Sequence, residues 1–126
     1  MSRAALIAIA IAPLGALMLT AAAAPADIVR PDMPGRQVFE RQCAPCHGTG
    51  PGADGAPMLP GTAALAAKYD GAKPGALELR SDLPAPVLRL FVRRGVSEMP
   101  PFRKSEITDA QIDEVAAYLA ATAAAN

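Results

Sequence analysis

The sequence predicts an all-α fold, and three observations support that class. Apolar residues recur at three- and four-residue steps in several segments, as they do along one face of a helix. Residues typical of helix ends bound these segments. No segment alternates apolar and polar residues as a half-buried strand would, and there is no internal repeat. The length of 126 residues fits one domain, which we assign to residues 27–126.

Four or five short helices are predicted in this domain. They follow a polar lead-in at 27–33 and occupy about 34–46, 62–69, 75–80, 83–94 and 108–124. Thr62 and Asp82 are candidate N-caps, and Gly95 is a candidate helix stop. Thr108 and Gln111 have the spacing of a capping box, which predicts where the last helix begins.

Two loops rich in glycine and proline separate these helices. The density of both residue types between 48 and 61 excludes a regular element there. We expect this segment to wrap around another part of the molecule rather than to link domains. In the second loop, at 96–104, Pro100 and Pro101 exclude a helix.

Composition and charge narrow the function. The chain has 12 Lys and Arg against 12 Asp and Glu, and this balance argues against a nucleic-acid-binding protein. It has no Trp, three Phe and two Tyr, which are few large apolar side chains for a core. A bulky apolar prosthetic group would supply the missing apolar material.

The N-terminus has the pattern of an export signal. Arg3 precedes an uncharged, alanine-rich stretch from 4 to 26, which predicts a signal peptide at 1–26, cleaved after Ala26 or slightly upstream. The alternative is an uncleaved anchor, since about 20 apolar residues can span a bilayer. Pro13 and Gly15 interrupt the stretch and favour cleavage. We therefore predict a bacterial periplasmic protein with no stable membrane span in the mature chain.

Both cysteines and the only histidine lie in the run Cys43-Ala44-Pro45-Cys46-His47. Cys-x-x-Cys-His is typical of c-type haem attachment, in which the two thiols bind the haem covalently and the histidine binds its iron. A structural zinc site is excluded because no further Cys or His is available. A chance match and a thioredoxin-like redox pair are the alternatives, and the redox pair expects a strand before the helix. The run predicts one covalent haem c.

The second axial iron ligand cannot be a histidine, so we expect a methionine. Met99 is the favoured candidate, since two helices can intervene between His47 and its proline-stiffened loop. Met58 lies close after His47, and we interpret it as a core or haem-edge contact. A histidine ligand also needs its second ring nitrogen held, and the carbonyl of Pro57 is a candidate acceptor for the Nδ1–H of His47.

Three blocks of the sequence resemble small class I c-type cytochromes. They are Gly35 and Phe39 leading into the Cys43–His47 run, the loop 55–61, and residues 93–102 followed by the last helix with Tyr118. The resemblance implies a cytochrome c fold in which the helices wrap around the haem. It also implies that the first and last helices cross, with Gly35 and Phe39 facing Tyr118.

The same resemblance implies the site and a closer relative. His47 and Met99 would be the axial ligands, and Pro57 and Leu59 would contact the haem. Residues 99–118 also resemble the cytochrome subunits of flavin-containing alkylphenol hydroxylases. The stretch 68–82 is longer than in the shortest class I members and looks like an insertion beside the haem edge.

These features predict an electron carrier rather than an enzyme. It would take electrons from a dehydrogenase and pass them to a cytochrome or an oxidase. The first alternative is a permanent cytochrome subunit of a flavoprotein or other dehydrogenase complex. The second is an open-site haem enzyme or gas sensor, which would require that Met99 does not bind iron.

Five basic residues cluster around Met99 in the sequence. They form either an ordinary solvated face or a rim that steers an acidic partner. They are Arg89, Arg93, Arg94, Arg103 and Lys104.

Overall fold

A computed structural model describes residues 27–126, and the predicted signal peptide lies outside these residues. The described part contains five α-helices: α1 (Pro34–Gln42), α2 (Ala44–His47), α3 (Pro60–Tyr69), α4 (Ala85–Arg94) and α5 (Asp109–Ala125). Single 3₁₀ turns lie at Ala53–Gly55 and Leu77–Leu79. Between residues 27 and 126 there is no strand beyond one isolated bridge, from Val96 to Met99. The predicted all-α class is confirmed.

The first predicted helix is divided in two at Cys43. This residue separates α1 from α2, with ψ −44° as in a helix but φ −117°, far from the ideal helical value. Pro45 explains the break, since it has no backbone N–H to donate and its ring would collide with the carbonyl of the preceding turn. The prediction of one continuous helix from 34 to 46 is therefore wrong at this position.

Both predicted side-chain N-caps are wrong. Helix α3 begins at Pro60, so Thr62 lies inside it, and the Thr62 hydroxyl donates to the carbonyl of Gly48 at 2.7 Å. Helix α4 begins at Ala85 after Pro84, and Asp82 instead accepts two hydrogen bonds from Arg80, each 2.8 Å long. Each side chain has a better partner elsewhere, and a proline with its φ already near the helical value begins or immediately precedes each helix.

The loop 48–61 is slightly more ordered than predicted. It contains the Ala53–Gly55 turn and gives way to α3 at Pro60. The predicted stop at Gly95 is confirmed, with φ +66° just after α4. The capping box is also confirmed: the Thr108 hydroxyl accepts from the backbone N–H of Gln111 at 3.2 Å, and the Gln111 side chain accepts from the N–H of Thr108 at 2.9 Å.

The core forms where α1 crosses α5. A Cβ atom on Gly35 would lie 2.0 Å from the carbonyl oxygen of Glu114, so only glycine permits this approach of the two backbones. Phe39 and Tyr118 are fully buried beside the crossing, with ring centroids 5.6 Å apart. The crossing implied by the resemblance is thus present.

The longer stretch at 68–82 folds back against α5. Its 3₁₀ turn at Leu77–Leu79 packs on that helix and buries the side chain of Glu78. Among the helices at 27–126, none has the length and apolar character required to cross a membrane.

Candidate functional site

Cys43 and Cys46 lie at the two ends of a single helical turn. The backbone N–H groups of Cys46 and His47 both donate to the carbonyl of Cys43, at 3.1 and 2.9 Å. Both thiols are free, with Cys43 half-buried and Cys46 exposed. Burial raises the pKa of Cys43 to about 11, so this thiol is protonated at neutral pH. A thioredoxin-like redox pair expects a strand before the helix, whereas the residues before Cys43 form helix α1.

His47 closes the turn with a half-buried imidazole. Burial lowers the pKa of this ring and favours the neutral form, which is the form that binds a metal. Its Nδ1 atom is buried and has no hydrogen-bond partner. The hydrogen bond predicted from His47 to the Pro57 carbonyl is therefore not formed. Gly61 lies against this edge of the ring instead, since a Cβ on Gly61 would be 2.7 Å from Nδ1.

The turn after His47 is held by two residues that the sequence reading missed. The Thr62 hydroxyl donates to the carbonyl of Gly48, as described above, and Thr62 is 5% exposed. The guanidinium of Arg30 donates to the hydroxyl of Thr49 at 2.8 Å. Neither contact leaves a local sequence signal, because each joins residues at least 14 positions apart.

Met99 lies in a tight turn between α4 and α5. Val96 and Met99 exchange two backbone hydrogen bonds, of 3.0 and 2.9 Å. Gly95 has φ +66°, and a Cβ there would lie 2.6 Å from the carbonyl oxygen of Met99, so both conformation and space require glycine. Met99 is half-buried and packs against the same hydrophobic core as Cys43. Met58, by contrast, is 38% exposed in the other loop.

Arg93 fixes the path of the chain after Met99. Its guanidinium donates to the carbonyls of Phe102 and Ile107, at 3.0 and 2.7 Å, and to the carboxylate of Asp109 at 2.7 Å. The N–H of Phe102 donates in turn to the carbonyl of Val92 in α4. The sequence assigned Arg93 either to a solvated face or to a basic rim, whereas in the structure its side chain joins the Met99 loop to α4 and α5.

Three of the other four basic residues around Met99 have carboxylate partners, one of which, Asp109, is shared with Arg93. Arg89 pairs with Asp113, Arg103 with Glu106, and Lys104 with Asp109. Within the described part of the chain, Arg94 is the one member of the five without a carboxylate partner. The ordinary solvated-face interpretation therefore fits better than a strong positive rim.

The residues present fit a covalent haem. Two free thiols, a neutral imidazole and a thioether supply the ligand chemistry of a His/Met haem c. Several large apolar side chains are also left open to solvent on α4 and the two loops, as an apolar prosthetic group requires of its surroundings. These are Met58, Val87, Leu90, Phe91 and Val96. Leu59 is half-buried and Pro57 is exposed in the loop after His47.

Comparison with known proteins supports the same type of site. The family model described as "Cytochrome C oxidase, cbb3-type, subunit III" matches residues 30–119. The matched range contains the Cys43–His47 run, the loop 48–61 and Met99. No curated protein and no solved structure matches the chain.

Proposed function

Because the chain belongs to the cytochrome c family described as cbb3-type cytochrome c oxidase subunit III, we propose that it is an electron-transfer protein with a single haem c. A cytochrome c domain carries haem c covalently, and Cys43 and Cys46 are the two cysteines of the chain. Bound at this site, haem c supplies one-electron oxidation and reduction without bond chemistry on a substrate. The free thiols on one helical turn, directly before His47, carry this proposal.

His47 and Met99 are the proposed axial ligands. The neutral imidazole at the end of α2 would hold the iron through one ring nitrogen, and Gly61 lies against the Nδ1 edge of the ring. The double hydrogen bond to Val96 fixes the backbone of Met99 and limits the positions of its thioether. With both axial positions filled, exogenous ligands are excluded, which favours electron transfer over catalysis or gas sensing.

The predicted export signal supports a location outside the cytoplasm, and the proposed haem supports redox partners. We propose a periplasmic protein that accepts electrons from a dehydrogenase and delivers them to a cytochrome or an oxidase. The matched family is named for an oxidase subunit, so permanent attachment to a larger oxidoreductase is the second candidate function. The resemblance to alkylphenol hydroxylase subunits makes a flavoprotein dehydrogenase one such complex. Size-exclusion chromatography of a periplasmic extract separates the two cases. A free carrier without its signal peptide elutes below the 12.9 kDa of the full 126-residue chain, whereas a subunit of a complex elutes far earlier.

The axial ligand is tested by replacing each candidate methionine. We expect Met99→Ala to abolish the weak sulfur-to-iron charge-transfer band of the oxidised protein and to permit binding of added imidazole. Met58→Ala is the matched control and should leave both properties unchanged. An unchanged spectrum in Met99→Ala, or loss of the band in Met58→Ala, would refute Met99 as the ligand. Covalent attachment is tested separately by haem staining of the denatured wild-type protein and of Cys46→Ala.

A further inference from the structure

A buried ionic cluster joins three distant parts of the chain. Glu78 is 2% exposed, and its Oε1 accepts hydrogen bonds from the Tyr118 hydroxyl and from Arg30 Nε, each 2.8 Å long. Its Oε2 accepts from Arg30 Nη2 at 3.3 Å. Arg30 belongs to the lead-in before α1, Glu78 to the 3₁₀ turn and Tyr118 to α5. A buried carboxylate is tolerated only with such partners, so the cluster fixes the position of the Arg30 guanidinium.

Arg30 also contacts the segment that follows His47. Its Nη2 also donates to the hydroxyl of Thr49, two residues after His47. The planar guanidinium can bind the carboxylate and the hydroxyl at the same time, which an ammonium cannot do with the same geometry. The side chain of Arg30 therefore connects the fixed cluster on α5 to the segment that leaves the proposed iron ligand.

The surroundings of the His47 ring show which groups can hold it. A metal-binding histidine almost always donates its other ring N–H to a carboxylate, a carbonyl or water. Here Nδ1 of His47 is buried without a partner, and Gly61 lies against that edge. The backbone beside the ring is held by side chains from elsewhere in the chain, since Thr62 holds Gly48 and Arg30 holds Thr49.

We propose that Arg30 is a positioning residue for His47, acting through its hydrogen bond to Thr49. This inference rests on the proposed function, because it assumes that His47 binds a haem iron. The role of Arg30 is to hold the backbone that follows the ligand, and Glu78 and Tyr118 hold Arg30. Arg30 itself contacts neither His47 nor the haem in this proposal.

The test compares variants of the haem-loaded protein by NMR of the oxidised state, in which the haem methyl resonances report the orientation of the axial histidine. Thr49→Val removes the hydroxyl and keeps the Arg30–Glu78–Tyr118 cluster, so we expect these resonances to shift while stability changes little. Thr49→Ser should restore the wild-type spectrum. Thr122→Val is the matched control, since the Thr122 hydroxyl is buried and donates to the Tyr118 carbonyl but makes no hydrogen bond to Arg30 or Thr49.

A second variant tests whether Arg30 acts on His47 through its hydrogen bond to Thr49. Arg30→Lys keeps a positive charge beside Glu78 but loses the fork that reaches Thr49, and we expect it to shift the same resonances. Adding Thr49→Val to Arg30→Lys should then cause no further shift. Unshifted resonances in Thr49→Val, or equal shifts in Thr122→Val, would overturn the positioning role while leaving haem binding intact. A wild-type protein without covalent haem would overturn the proposed function and the inference with it.

Discussion

Replacement of Gly35 by alanine should separate the two helices that form the core. The new Cβ would lie 2.0 Å from the Glu114 carbonyl oxygen and 2.7 Å from the Val115 nitrogen, whereas ordinary contact begins near 3.4 Å. Both obstacles are backbone atoms, so no side-chain rotation relieves the clash and α1 must move away from α5 by more than an ångström. That movement loosens the packing of Phe39 on Tyr118, which are both fully buried.

The magnitude follows from two opposing effects. Overpacking a tight core costs about 1–3 kcal/mol, and a clash with rigid backbone places Gly35→Ala at the upper end. Alanine recovers about 0.5–1 kcal/mol through its better helix propensity. A net loss of about 2 kcal/mol remains, which lowers the melting temperature of a domain of this size by roughly 10 °C.

Thermal unfolding of the haem-loaded protein, followed by circular dichroism, measures this loss. Gln37→Ala is the control, because Gln37 is exposed on the same helix and its replacement reports helix propensity without a clash. A melting temperature of Gly35→Ala equal to or above that of wild type would refute the argument that the helix crossing requires glycine.

Two further predictions concern buried and charged contacts. Tyr118→Phe removes the hydroxyl that donates to the buried Glu78 carboxylate, and we expect a loss of about 1–3 kcal/mol in the free energy of unfolding measured in urea; a loss below a few tenths of a kcal/mol would contradict the value assigned to that bond. For Asp109, hydrogen bonds from Arg93 and Lys104 lower the carboxyl pKa from 3.8 to about 2. Its stabilising effect is therefore fully present above pH 4 and is lost as the pH falls through 2, so the stabilities of wild type and Asp109→Asn should converge in acid. A difference between them that does not change with pH would refute this linkage.

Much of the proposed site could be predicted from the sequence because its signals are local. The Cys43–His47 run places two thiols and an imidazole within one helical turn, whatever the rest of the chain does. The capping box at Thr108 and the stop at Gly95 depend on residues within three or four positions of one another. Met99 was chosen because the chain has a single histidine, so the second axial ligand must be another residue type. That choice stays a prediction until the spectrum of Met99→Ala tests it.

Several errors have one physical cause, which is a hydrogen-bond partner that helix-cap patterns do not indicate. Thr62 and Asp82 have the right chemistry for helix caps, but Thr62 donates to the carbonyl of Gly48, 14 positions away, and Asp82 accepts from Arg80, two positions away. In the sequence, Arg93 has the character of a surface charge. In the fold, its guanidinium donates to two carbonyls and to Asp109. The predicted hydrogen bond from His47 to the Pro57 carbonyl is not formed. Gly61 lies against the edge of the ring that this carbonyl was expected to reach.

By itself, the sequence determined the helical class and supplied the residues that we propose for haem attachment and iron binding, since these depend on residue type and short spacing. Only the tertiary structure decided how the ligand segments are held. Thr62 and Arg30 hold the turn after His47, and Arg93 holds the loop after Met99. Hydrogen-bond energy depends on distance and angle in space, and the folding of α1, the 68–82 segment and α5 onto one another sets those distances.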